Sequence, residues 1–256
     1  MSGKTIVFIH GLFMNPKSWS PWISHFEKIG YTCYAPAYPY HEGEPEELRK
    51  KPSAKLNNLT LDEVYKSISS FILSLPESPI LIGHSMGGLI VQKLLANNIG
   101  LAGIAIDSAP PKGIVSSKWS FLKSNLPVIN PLQGNTVFLP GLKWFHYAFC
   151  HLMTMEQAKA SYNQLVVPES RNIPRSSAGK DGIIDFKKPH APLLIIAGEK
   201  DHIVPAAMNK KNFLAYKANT GILNFKLFEN RTHFICVQEN WEEVANYIAD
   251  WLSKLP

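Results

Sequence analysis

The stretch Pro79-Ile80-Leu81-Ile82-Gly83-His84-Ser85-Met86-Gly87-Gly88-Leu89 decides how the rest of the chain is read. Its first four residues make a short apolar run of the kind that fills a strand covered on both faces. From Met86 to Asn98 apolar residues recur at helical spacing, so Ser85 falls at a strand-to-helix corner with glycine two residues away on each side. The corner requires a strained backbone at Ser85, and a side chain at 83 or 87 would collide with backbone crossing there. Gly-x-Ser-x-Gly in this setting is a nucleophile elbow, which presents a serine hydroxyl at the C-terminal edge of a sheet with the positive end of a helix behind it.

Outward from the elbow the same grammar repeats. Thr5 to Ile9 reads as a first strand; Trp19, Trp22, Ile23, Phe26 and Ile29 then recur at helical spacing, and Tyr31 to Ala35 reads as a second strand. After a polar stretch from Pro39 to Asn58, Thr60-Leu61-Asp62-Glu63 has the form of a capping box. It opens a helix whose apolar stripe is Leu61, Val64, Ile68, Phe71, Ile72 and Leu75. Past the elbow helix come a strand at Leu101 to Ile106, another at Pro192 to Ala197, a helix from Pro205 to Tyr216, a strand at Leu223 to Phe228 and a last helix from Trp241 to Leu255. Between Ser108 and Pro189 the alternation stops: prolines, glycines and aromatics crowd around one helix near Thr154 to Leu165, with no buried-strand run. The pattern predicts an α/β fold, a doubly wound and mainly parallel sheet of about six strands. One domain is expected, with residues 1–107 and 190–256 as its core and 108–189 as an inserted lid.

Composition narrows the function classes. The chain has 256 residues, 45% of them hydrophobic and 18% charged, enough to bury a sizeable core and too apolar for disorder. No apolar run approaches the ~20 residues of a membrane span. The formal charge of +6 comes mostly from lysines scattered singly or in pairs, without a basic stripe interleaved with stacking aromatics, so no nucleic-acid partner is expected. Cys33, Cys150 and Cys236 are too few and too far apart for a disulfide framework, and no Cys/His group has metal spacing. Strand-like sequence from Lys4 leaves no room for a secretory leader, and Ser2 removes a myristoylation site. A cytoplasmic protein without metal or cofactor is the expectation; nothing in the patterning indicates an oligomeric state.

With the elbow, the segment Ile9-His10-Gly11-Leu12-Phe13 and the segment Gly198-Glu199-Lys200-Asp201, the chain resembles the α/β-hydrolase fold superfamily from its first strand to its last helix. The resemblance implies an oxyanion hole made by the backbone N–H groups of Leu12 and Met86, the latter following the nucleophile. Phe13 is the reserve if the turn is shifted by one. It also implies the chain order Ser, then an acid, then His. A serine hydroxyl needs a base to take its proton and a carboxylate to orient that base. Asp201 and His233 each lie just past a strand end, on the sheet edge where Ser85 sits, and match the family pattern. Asp107, after the preceding strand, is the alternative acid. The site thus reads as nucleophile Ser85, base His233 and orienting acid Asp201, with His10 a structural hydrogen-bonding group.

The expected activity is hydrolysis of a small to medium carboxylic ester through an acyl-enzyme. A lactonase or C–C bond hydrolase with the same residues is the alternative within enzymes, and a ligand-binding protein without turnover the alternative outside them. The expected partner is a small-molecule ester or lactone. Candidate substrate-binding residues are Phe13, Tyr38, Trp144, Phe145, Phe149 and His202. Arg171 is open between holding a polar substrate end and pairing with Glu169.

Overall fold

A computed structural model describes residues 4–216 and 221–256. The expectations drawn from Met1 and Ser2 lie outside the described residues. A parallel sheet of six strands runs through the molecule: β1 (Thr5–Ile9), β2 (Thr32–Tyr34), β3 (Ile80–His84), β4 (Ala102–Ile106), β7 (Leu193–Gly198) and β8 (Leu223–Phe228), in the order β2-β1-β3-β4-β7-β8. Between β4 and β7 lies a separate antiparallel pair, β5 (Val137–Phe138) and β6 (Glu169–Ser170).

The helices that cover the sheet follow from crossover handedness. The chain leaves β1 for the edge strand β2 through α1 (Ser20–Lys28), then returns across β1 to β3 after α2 (Pro45–Lys50) and α3 (Leu61–Leu73). Right-handed connections in opposite directions place α1 on one face and α3 with α4 (Met86–Ala96) on the other. On the α1 face Ile6, Phe8, Ile80, Ile82, Ile104 and Ile196 pack with Trp22, Phe26 and, from α10 (Glu242–Ser253), Val244, Ile248 and Leu252. On the other face Val7, Ile9, Leu81, Ala105 and Ile195 meet Leu61, Val64 and Ile68 of α3 and Leu89, Ile90 and Leu94 of α4. Helix α9 (Ala206–Ala215) joins β7 to β8. Strand order reverses between β1 and β3, so the crevice beyond their C-terminal ends is where an open sheet of this kind holds a ligand.

The segment between β4 and β7 differs from expectation. Besides α7 (Met155–Leu165) it contains α5 (Trp119–Ile129), α6 (Leu142–Phe149) and α8 (Asn172–Ser177), and its strand β6 is buried. These helices do not cover a sheet; Phe145, Ala148, Phe149, Ala158 and Val166 pack on one another and on Phe13, Met14 and Phe234 of the core. Among the described residues no helix is long and apolar enough to cross a membrane.

Candidate active site

The corner at Ser85 is built by close packing. Ser85 takes φ 54° and ψ −117° between β3 and α4. A Cβ at Gly83 would overlap the Gly87 carbonyl, and one at Gly87 would overlap the carbonyl of Ile9. Gly11 completes the fit, since a Cβ there would stand 2.9 Å from the Ser85 Cβ. The turn after β1 thereby rests against the serine.

Three side chains from three strand ends converge. The Ser85 Oγ donates to His233 Nε2 at 2.9 Å. His233 Nδ1–H donates to Asp201 Oδ2 at 2.6 Å, and Asp201 Oδ1 accepts from the backbone N–H groups of Ile203 at 2.7 Å and Val204 at 2.8 Å. All three residues are buried. Burial pulls His233 down to about 3, which keeps the imidazole neutral near pH 7 and able to accept the serine proton. The Asp201 carboxyl is pushed up by burial and drawn back by those two N–H donors.

Asp201, not Asp107, is the carboxylate hydrogen-bonded to His233. Asp107 Oδ1 accepts the Gly198 N–H at 2.6 Å, while its Oδ2 is buried without a partner. Burial first, and then the Asp201 charge, push its carboxyl well above the usual range, which favours a neutral acid. His84 lies behind His233: its Nε2–H donates to the His233 carbonyl at 2.8 Å, and burial together with His233 holds it well below its ordinary value. Among the described residues the one close cluster of possible metal ligands is His84, Asp107 and His233, whose ligand atoms lie within 4.8 Å of one another. Both His233 nitrogens are engaged by Ser85 and Asp201, so this cluster is the hydrogen-bonded interior of the site rather than a coordination sphere.

Two spaces meet at Ser85. A chamber of about 200 Å³ is walled by Leu12, Met86, Ala109, Pro110, Pro111, Phe121, Ile129 and Ile203, with Lys112 as its one charged residue among those described. A compartment of about 30 Å³ is walled by Phe13, Ser124, Val128, Trp144, Phe149 and His233, and Leu12, Asn125, Pro174 and Ile203 border both. Met86 opens α4, where an N–H has no acceptor within the helix, and the Leu12–Phe13 turn carries φ 67° at Phe13.

The other candidate residues divide. Phe13, Trp144 and Phe149 line the small compartment, and the Phe149 ring stands edge-on to His233 at 5.1 Å. Tyr38, Phe145 and His202 are not in the cavity walls. Tyr38 is fully buried beneath the β1 turn, its N–H donating to His10 Nε2 at 3.1 Å and its ring 3.8 Å from the His10 ring. Phe145 is fully buried behind Phe149, its ring stacked on Phe149 at 5.1 Å. His202 Nδ1–H donates to the Tyr147 carbonyl at 2.9 Å, and the ring stacks on His151 at 3.7 Å. Arg171 neither faces the cavity nor pairs with Glu169: it donates to the Val128 carbonyl at 2.9 Å and to Thr136 Oγ1 at 3.1 Å, closing the C-terminal end of α5. Glu169 pairs instead with His41 at 3.1 Å. Sequence reasoning missed the chamber walls at 109–115, where small apolar residues and prolines in a loop give no periodic signal, and at Phe121 and Ile129, which belong to the proline-containing helix α5.

The sequence profile of the alpha/beta hydrolase family matches residues 6–247. No curated protein sequence matches the chain. Among solved structures, a monoacylglycerol lipase from Paleococcus ferrophilus is similar at 22% identity with a TM-score of 0.69, over 97% of this chain and 93% of its own. Tomato methylketone synthase I, in complex with 2-tridecanone, is similar at 15% identity and a TM-score of 0.74, over the whole of both chains. A methylesterase from Arabidopsis gives 15% identity and a TM-score of 0.71, over 98% of this chain and 99% of its own. At these identities the likeness speaks for the fold.

Proposed function

The chain belongs to the alpha/beta hydrolase family, and we propose that it is a serine hydrolase of carboxylic esters, with Ser85 as nucleophile, His233 as base and Asp201 as the acid that orients it. The observation that carries this reading is the continuous chain of hydrogen bonds from Ser85 Oγ through His233 to Asp201, at 2.9 and 2.6 Å. In the reaction Ser85 Oγ attacks the acyl carbonyl as its proton passes to His233 Nε2, and Asp201 stabilises the imidazolium. The carbonyl oxygen, now an anion, is received by the N–H groups of Leu12 and Met86 at the N-terminus of α4. His233 gives its proton to the departing alcohol, then takes one from the water that opens the acyl-enzyme.

Residues 108–189 serve as the lid, since walls of both spaces at Ser85 come from them. Three free cysteines fit a reducing, cytoplasmic setting.

The test is hydrolysis of a p-nitrophenyl ester series from acetate to decanoate. Ser85→Ala and His233→Ala should abolish turnover. Asp201→Asn should lower kcat by roughly 10³ to 10⁴-fold by leaving the imidazole in the wrong tautomer. Asp107→Asn should cost far less. Activity that survives Ser85→Ala, or that depends on Asp107 in place of Asp201, would overturn the assignment.

A further inference from the structure

Resting on the serine hydrolase reading, we infer that the two spaces at Ser85 divide the substrate between them. The acyl group of an apolar acid takes the larger chamber, and an alcohol of one or two carbons takes the compartment beside His233.

The geometry fixes which half goes where. Ser85 borders both spaces, Met86 borders only the chamber and His233 only the compartment. The leaving oxygen must receive its proton from His233, so the alcohol has to lie on the His233 side. The carbonyl oxygen turns toward Leu12 and Met86, which leaves the chamber for the acyl chain.

Size then sets the class. A cavity of about 150 Å³ admits benzene, and one water needs about 10–15 Å³. The chamber at about 200 Å³ therefore takes a ring or a short chain, and the compartment at about 30 Å³ takes two or so water-sized groups. The compartment cannot swell cheaply, because Phe149 is wedged between Phe145, Phe234 and the His233 ring, and close-packed aromatics yield only by losing contacts elsewhere. The chamber ends at exposed Lys112 and Val115 and has room to extend.

Methyl hexanoate and pentyl acetate test the division, since they are isomers of similar hydrophobicity with the bulk on opposite sides of the ester. The kcat/KM for methyl hexanoate should exceed that for pentyl acetate at least tenfold. Trp144→Ala, which widens the compartment, should narrow the ratio by raising pentyl acetate. Ala178→Phe, at the exposed rim of the chamber, should lower methyl hexanoate several-fold and methyl acetate by a smaller factor, so that the ratio of the two falls. Labelling of Ser85 by a fluorophosphonate separates the two readings. A labelled protein that hydrolyses the isomers equally, prefers pentyl acetate or turns over neither ester overturns the division. A folded protein that neither labels nor hydrolyses either ester overturns the serine hydrolase reading and the division with it.

Discussion

Ser85 holds φ 54° and ψ −117°, a combination that glycine adopts freely and other residues adopt at a cost of about 1–3 kcal/mol. Ser85→Gly should therefore raise the unfolding temperature while removing activity, and thermal denaturation of the two proteins side by side checks it. Unchanged or lowered stability would mean that the corner carries no strain. His233 makes a second statement testable at this scale. Its imidazole is drawn down to about 3 by burial, and the reaction needs it neutral, so activity is lost only as pH falls through that depressed value. The acid limb of kcat/KM should lie well below pH 6.5, and a limb at 6.5 or above would contradict the environment described. The convergence of Ser85, Asp201 and His233 was legible because each follows an identifiable strand. The burial of Tyr38 and Phe145 was not, since an aromatic near a strand end looks the same in sequence whether it faces a cavity or the packing beneath it.

Elements with a strong local signal formed where the sequence put them. Strand β1 and strand β8 match their expected limits, and α3 begins at its capping box, with Thr60 Oγ1 accepting from the Glu63 N–H and Glu63 Oε2 accepting from the Thr60 N–H at 2.9 Å. Thr60→Ala removes one arm of that box and should cost about 1 kcal/mol, a fall of roughly 2–4 °C in unfolding temperature for a chain of this size. A change under half a degree would show the cap to be idle. Helices α5, α6 and α8 escaped detection for a physical reason. Helices α6 and α8 are short, α5 carries Pro127 within it, and the apolar residues they bury meet different partners, Phe145 and Phe149 of α6 among the inserted helices and Ile173 of α8 against α3, so no long apolar stripe develops.

At the scale of the molecule, the inserted segment is bound to the core by an interior ion pair. His41, in the loop after β2, meets Glu169 of β6 at 3.1 Å, and both side chains are buried. Burial draws the imidazole down, but the charge and hydrogen bond of Glu169 prevail and its value is raised. A raised histidine stabilises the fold below the unfolded value near 6.5 and loses that contribution as pH climbs through the folded one. Removing one partner of a buried pair costs about 3–5 kcal/mol. His41→Gln should thus lower the denaturant midpoint, and the gap to the wild type should be wider at pH 6 than at pH 9; a gap independent of pH would mean that His41 is uncharged. Two backbone bonds reinforce the attachment: the Phe234 N–H donates to the Phe149 carbonyl at 3.0 Å, and the Val167 N–H donates to the Phe13 carbonyl at 2.9 Å. The first begins one residue from His233, so lifting the inserted segment there would disturb His233 itself. The chamber wall is exposed at Lys112 and Val115, so under the proposed function a substrate enters from that side, tip first. An ester hydrolase built this way would refuse esters buried within a polymer, with bulk on both sides, and would trim a small cap from the end of a chain.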